Sequence, residues 1–134
     1  MVRAVFGNNE VLLVGDITSN VESELVRLGD FDGRGGVGTV LSMPHHGSKT
    51  SSSPEFIDSV DPLWVVASSG PLSRYGHPAK EVVNRYLLRD IKVLDTARHG
   101  AVKFKYNKSE LEGNPVSWRA ANHFHWHTDR FEEF

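Results

Sequence analysis

Thr39-Val40-Leu41-Ser42-Met43-Pro44-His45-His46-Gly47-Ser48-Lys49-Thr50-Ser51-Ser52-Ser53-Pro54 runs from an apolar, strand-like segment directly into two adjacent imidazoles, a glycine and a row of hydroxyls. A buried strand that ends in Pro-His-His-Gly releases its side chains at a sheet edge. Neutral imidazole is also the commonest ligand for zinc-like metals. The plain alternative is a polar turn, because vicinal histidines occur on ordinary loops as well.

Working outward, Ser53-Pro54-Glu55 starts a short helix, with Ser53 as N-cap and Pro54 at the first position, where its missing N–H costs nothing. Phe56, Ile57 and Val60 form its apolar side. Leu63-Trp64-Val65-Val66 is the centre of another continuous apolar strand over residues 62–67. It opens into Ser68-Ser69-Gly70-Pro71-Leu72-Ser73-Arg74-Tyr75-Gly76-His77-Pro78, a loop too polar and too punctuated by Gly and Pro to be core. Residues 79–89 make an amphipathic helix carrying Val82, Val83, Tyr86 and Leu87. Residues 91–94 and 101–106 are two more strands around a turn at Arg98-His99-Gly100. Upstream, residues 2–6 and 11–14 read as strands joined at Gly7-Asn8-Asn9, and the second delivers Gly15-Asp16 at its C-terminal end. Ser19 and Glu22 have capping-box spacing ahead of Val21, Leu25 and Leu28, which predicts a helix over 20–28 ended by Gly29. This alternation of strand and helix is the α/β class.

With 134 residues the chain has room for one domain with a real core. A net charge of -2 exerts no global pull on nucleic acid, so phosphate recognition has to be local, through a few placed cations or a metal. The absence of cysteine removes thiolate metal sites, disulfides and cysteine nucleophiles, which leaves metal chemistry to His and Asp. No apolar run approaches the roughly 18 to 20 residues that span a bilayer and no leader precedes the first strand, so the chain is expected to be soluble. The Gly-rich segment 30–38 echoes a calcium loop but lacks the acid at its last position, and calcium is not expected there. From residue 107 the pattern weakens. Residues 116–118 and 123–127 suit one or two edge strands. In extended backbone His123, His125 and His127 share one face and Phe124 and Trp126 the other, so a plain strand or frayed tail is favoured over a metal-binding face.

Strand-Gly-Asp, strand-Pro-His-His-Gly-Ser, strand-Ser-x-Gly and then Arg-Tyr-Gly-His-Pro each leave the same end of successive strands, so these groups converge. The carboxyl edge of an open α/β sheet is where sites form, and an Asp with two or three His is a hard-to-borderline metal set. The alternative for Asp16 is a helix-entry carboxylate, and for His77 a cap beside Pro78. We expect Asp16, His45 or His46, and His77 in one pocket.

In order and wording, Leu12-Leu13-Val14-Gly15-Asp16, Pro44-His45-His46-Gly47-Ser48 through Pro54, and Arg74-Tyr75-Gly76-His77-Pro78 resemble the second half of a metallo-β-lactamase-fold domain. The likeness is specifically to the C-terminal domain of the ComEC family of DNA-internalisation competence proteins, and it covers roughly residues 2–104. It implies an α/β fold, the second half of an αββα sandwich: mostly one sheet with helices on one face over 1–106, and a weakly structured or edge-strand tail over 107–134. By that resemblance Asp16 bridges two metals, zinc or another divalent ion, with His45 or His46 as a further ligand. His77 lines the pocket, with Ser48, Arg74 and Tyr75 placed to meet a phosphate. The family's His-x-His-x-Asp-His ligand loop belongs to the first half of the domain, and no such run precedes Asp16 here. The tail's His123-x-His125-x-His127-Thr128-Asp129 has a different order of acid and imidazole, and Ala97 and His99 stand where the family tends to have acids.

Two functions follow as expectations. One is part of a metal-dependent phosphodiesterase or nuclease that processes DNA during uptake, in which Arg74 or Lys49 offsets phosphate charge and an N-terminal half or membrane channel region is the partner. The other is a binding or structural module that keeps the pocket without a full ligand set. A serine hydrolase working through Ser48 or Ser69 is disfavoured, because neither sits in a Gly-x-Ser-x-Gly elbow. Metal affinity of the chain alone should be weak. The predicted helices cover only one sheet face, which predicts an exposed apolar patch and self-association.

Overall fold

The computed structural model describes residues 1–31, 38–107 and 110–122. β1 (Val2–Phe6) and β2 (Asn9–Leu13) form an antiparallel hairpin whose two-residue turn has Gly7 at φ 62°, a conformation that glycine reaches without Cβ strain. After β2 the chain makes right-sized α/β crossovers. α1 (Ser19–Arg27) leads to β3 (Val40–Ser42), α2 (Pro54–Val60) to β4 (Trp64–Ala67), and α3 (Lys80–Leu87) to β5 (Lys92–Asp95). The sheet order is β1-β2-β3-β4-β5, with β2 through β5 parallel. The turns after β2, β3, β4 and β5 therefore emerge at one edge.

Side chains alternate across a strand, and the register places Leu12, Leu41, Val65 and Val93 on one face. Against that face pack Val26 of α1, Phe56, Ile57 and Val60 of α2, and Val82 and Tyr86 of α3, so all three crossover helices lie on the same side. The opposite face carries Val2, Phe6, Leu13, Val40, Trp64, Val66 and Leu94. Its start-of-strand end is covered by the C-terminal segment: Phe104 packs edge-on to Trp64 at 6.1 Å and Tyr106 stacks on Phe6 at 5.5 Å. At the other end Leu13 is 52% and Val2 61% exposed. An environment-sensitive dye is expected to bind this open end, and Leu13→Gln to reduce both the dye signal and any self-association seen by sedimentation. Equal dye binding by parent and variant would refute that.

Several local expectations change. The strand expected over 101–106 is two short ones, β6 (Val102–Lys103) and β7 (Tyr106–Asn107), because Phe104 is drawn onto Trp64 between them. β7 pairs with β8 (Glu110–Leu111), and β6 with β9 (Val116–Ser117). The turn at Arg98-His99-Gly100 is the end of a four-residue helix, α4 (Thr96–His99), capped by the Asp95 carboxylate through the Ala97 N–H. Trp118 is not in a strand but opens α5 (Trp118–Ala121). The tail histidines 123, 125 and 127, with Phe124 and Trp126, lie outside the described residues, as does most of the Gly-rich segment. Among the described residues no helix is long and apolar enough to cross a membrane.

The capping expectations also change. The N-cap of α1 is Thr18, without a side-chain capping bond, and Glu22 turns into the core instead of closing a box with Ser19. Ser53 holds the N-cap position of α2, but its side chain makes no capping bond either. Glu22 of α1 instead accepts the backbone N–H groups of Ser52 and Ser53, just ahead of the helix.

Candidate functional site

Three loops meet at the carboxyl edge and are stitched together by their backbones. The His45 N–H donates to Gly15 O at 3.0 Å, and the Ala79 N–H donates to Gly47 O at 3.0 Å. Gly47 has no alternative here: at φ 84° a Cβ would lie 2.5 Å from Pro78 Cβ and 2.7 Å from Met43 Sδ. The residues before it form a 3-10 turn, Pro44–Gly47, in which His45 (φ 48°) and His46 (φ 55°) are both left-handed. Such backbone is uncommon outside glycine and collects at functional sites. Its effect is to send the two vicinal rings in different directions.

His46 faces Asp16. Its Nδ1 lies 2.7 Å from Ser68 O, an atom that only accepts, so Nδ1 carries a proton. Its Nε2 is 3.3 Å from Asp16 Oδ1. The arrangement suits a metal-ligating histidine, whose second ring nitrogen commonly donates to a carbonyl or carboxylate. The Ser68 carbonyl is itself held. The neighbouring Ser69 exchanges hydrogen bonds with Thr96 Oγ1, its N–H donating at 3.0 Å and its C=O accepting at 2.9 Å, and the Ser69 hydroxyl donates to the buried Asp95 carboxylate. Nothing in the sequence marked Asp95 or Thr96 beyond their place at a strand end.

His45 faces the other way, into an open cleft of about 600 Å³ lined by His45, Ser48, Lys49, Thr50, Tyr75 to His77 and Lys80. Thr50 Oγ1 is 3.5 Å from His45 Nδ1 and 3.1 Å from Ser48 Oγ, and the His45 and His77 ring centres are 6.4 Å apart. Tyr75 stacks on His77 at 5.8 Å while remaining 77% exposed. Lys49 is paired with Glu81 at 3.0 Å. The structure thus brings Asp16 to His46, and His45, Ser48, Tyr75 and His77 to the adjoining cleft. Arg74 is exposed and does not line it. Thr50 and Lys80 do, though neither was expected from its sequence position to take part; Lys80 could have been suspected from its place opening the helix just after His77-Pro78.

His77 Nδ1 is buried without a hydrogen-bond partner among the described residues. Its pKa is held below the ordinary histidine value, first by burial and then by repulsion from His45 and His46. A lowered folded pKa means the unfolded chain binds this proton more readily, so stability contributed here is present above about pH 6.5 and falls as pH drops through it. The His77 ring resonances should titrate with a midpoint below that of a free imidazole. A midpoint at or above it would contradict the burial argument.

Fold and site together define an α/β domain with an imidazole–carboxylate pair on one side of a cleft rich in hydroxyls, imidazoles and lysines. No family model matches the chain. In sequence it is similar to Competence protein ComA of Neisseria gonorrhoeae, 35% identical over 132 residues, which is 98% of this chain and 18% of that protein. It is similar to ComE operon protein 3 of Bacillus subtilis, 32% identical over 100 residues, 75% of this chain and 12% of that protein. It is also similar to Recombination protein 2 of Haemophilus influenzae, 35% identical over 107 residues, 79% of this chain and 13% of that protein. The chain is therefore similar in sequence to part of each of these proteins and spans less than a fifth of their length.

Proposed function

We propose that the chain carries one side of the active site of a metal-dependent phosphodiester hydrolase acting on DNA during uptake. In this reading it is the second half of a metallo-β-lactamase-like αββα sandwich over residues 1–106, with the remainder as an appended tail. The observation that carries the reading is the His46–Asp16 pair, with the Nδ1 proton of His46 fixed on Ser68 O and Nε2 turned to the carboxylate. An imidazole nitrogen and a carboxylate oxygen so close together fit a borderline divalent ion such as zinc, with Asp16 and His46 as the residues that would hold it. A bound divalent ion supplies Lewis acidity toward a phosphoryl oxygen and lowers the pKa of bound water. The chain's own side chains would do the rest. Ser48 and Thr50 donate hydroxyl hydrogen bonds to the phosphate, Lys49 and Lys80 offset its charge, Tyr75 offers an exposed ring to a base, and His77 bounds the pocket. The name of one relative, a competence protein, supports a setting in DNA uptake, and the far greater length of the relatives leaves room for the other ligands and for a channel.

The second reading is a binding module that keeps the cleft without hydrolysis. It is favoured by the presence of only two converging ligands, Asp16 and His46, among the described residues. One titration separates the two readings. Zinc should perturb the resonances of Asp16 and His46, and a thymidine dinucleotide those of Ser48 to Thr50 and Tyr75 to His77. The dinucleotide response without the zinc response supports the binding module, and neither response refutes both.

A further inference from the structure

The proposed chemistry gives no task to the most deeply buried carboxylate among the described residues. Glu22, in the first turn of α1, is fully buried. Its Oε1 accepts the Ser52 N–H at 2.6 Å and its Oε2 the Ser53 N–H at 2.8 Å, a two-pronged capture of consecutive backbone donors some 30 residues away. Burying a carboxylate is costly, and two short charge-assisted hydrogen bonds are what offset that cost.

The segment so captured is the lower half of the loop that lines the cleft. Ser52 is itself left-handed, at φ 58°, a shape that a buried serine keeps only when its surroundings impose it. Other groups grip the same turn. The Tyr86 hydroxyl donates to Ser52 Oγ at 3.0 Å, and Arg85 Nη1 donates to both Ser51 O and Ser52 O at 3.0 Å. The Ser51 hydroxyl reaches Pro44 O at 2.8 Å, which ties the turn to the start of the His-His segment, and the Ser19 N–H holds Thr50 O at 2.9 Å. Of all these contacts, only Glu22 brings a full negative charge to the loop's own amides.

We propose that Glu22 is a positioning residue: from beneath the loop its carboxylate sets the conformation of residues 48–53 and thereby the presentation of Ser48, Lys49 and Thr50 to the cleft. That the presented groups grip phosphate rests on the function proposed above; that Glu22 shapes the loop does not. Glutamine cannot substitute. It offers one acceptor and one N–H₂ group, and the latter must face a backbone N–H.

The test uses the 134-residue chain with Glu22→Gln, Glu22→Asp and, as a control for general destabilisation, Ile57→Val, a core change that leaves the loop's hydrogen bonds in place. Glu22→Gln should speed amide exchange at Ser52 and Ser53 about tenfold or more, the usual consequence of losing a charge-assisted bond. It should also move the resonances of Ser48, Lys49 and Thr50, and weaken inorganic phosphate binding roughly tenfold through misplacement of its donors. Ile57→Val should change none of these at matched loss of thermal stability. Unchanged loop resonances and exchange in Glu22→Gln, or their reproduction by Ile57→Val, would overturn the proposal. Should Glu22→Gln not fold, Glu22→Asp keeps the charge but withdraws it by one methylene; faster exchange at Ser52 or Ser53 supports the role, and parental exchange at both overturns it. If inorganic phosphate does not bind the parent chain, the phosphate reading of the cleft falls, and the exchange comparison still decides the role of Glu22.

Discussion

If Asp16 and His46 hold a metal as proposed, replacing His46 by alanine should remove nearly all affinity of the chain for a divalent cation, while replacing His45 should leave that affinity close to parental. The two residues are adjacent and chemically identical, so the difference comes entirely from geometry: Nε2 of His46 stands 3.3 Å from Asp16 Oδ1, whereas Nδ1 of His45 looks toward Thr50. A full four-ligand zinc site is worth about 10 to 16 kcal/mol, so two ligands contribute on the order of half, a Kd of roughly 1 to 200 µM. Losing one of the two should weaken binding at least about a hundredfold, since disturbing even an outer partner of a metal ligand costs 10- to 100-fold. His45→Ala should instead weaken phosphate binding in the cleft. Zinc titrations of both variants, followed at Asp16, check this. Retained zinc affinity in His46→Ala together with its loss in His45→Ala would reverse the assignment.

Phe56→Ala should cost the domain about 3 to 5 kcal/mol, the usual range for emptying a buried aromatic site. Phe56 is fully buried at the centre of α2 and makes an edge-to-face contact with Phe31 at 5.4 Å, in the cluster that also holds Leu12, Leu41, Val65 and Tyr86. A domain's net stability is only about 5 to 15 kcal/mol, so the variant would be marginal at 37 °C. Its thermal midpoint should fall by roughly 10 to 20 °C, with Phe31→Ala falling less because Phe31 is only partly buried. Chemical denaturation read by two independent probes would measure it. A loss below about 1 kcal/mol would mean that the site collapses freely and that the helix layer is not the core described.

Much of this architecture was legible in the residues because it is local. Apolar runs at 11–14, 39–43, 62–67 and 91–94 alternate with helical periodicities, and that pattern alone orders strands and helices and sends their polar ends to one sheet edge. Pro54 at the first turn of α2, Gly29 after α1 and the Gly7-Asn8 turn are likewise local chemistry, and each stands where its backbone preference puts it. The Asp16, His45-His46 and His77 segments could be collected for the same reason, without a choice between the two adjacent histidines.

What the residues could not show depends on partners distant in sequence. His45 and His46 are indistinguishable as letters; only the left-handed turn, held by Gly15 O on one side and Gly47 against Pro78 on the other, aims one ring at Asp16 and the other into the cleft. Glu22 has the spacing of a helix cap but satisfies the N–H groups of Ser52 and Ser53, because packing of α1 against α2 brings those donors within hydrogen-bond reach of its carboxylate. The run 101–106 has the composition of one strand and is broken in two by Phe104 packing on Trp64. Local sequence fixes which conformations a segment can adopt at low cost. The choice among them is made by burial and by long-range hydrogen bonds, which exist only once the sheet and its helices have assembled.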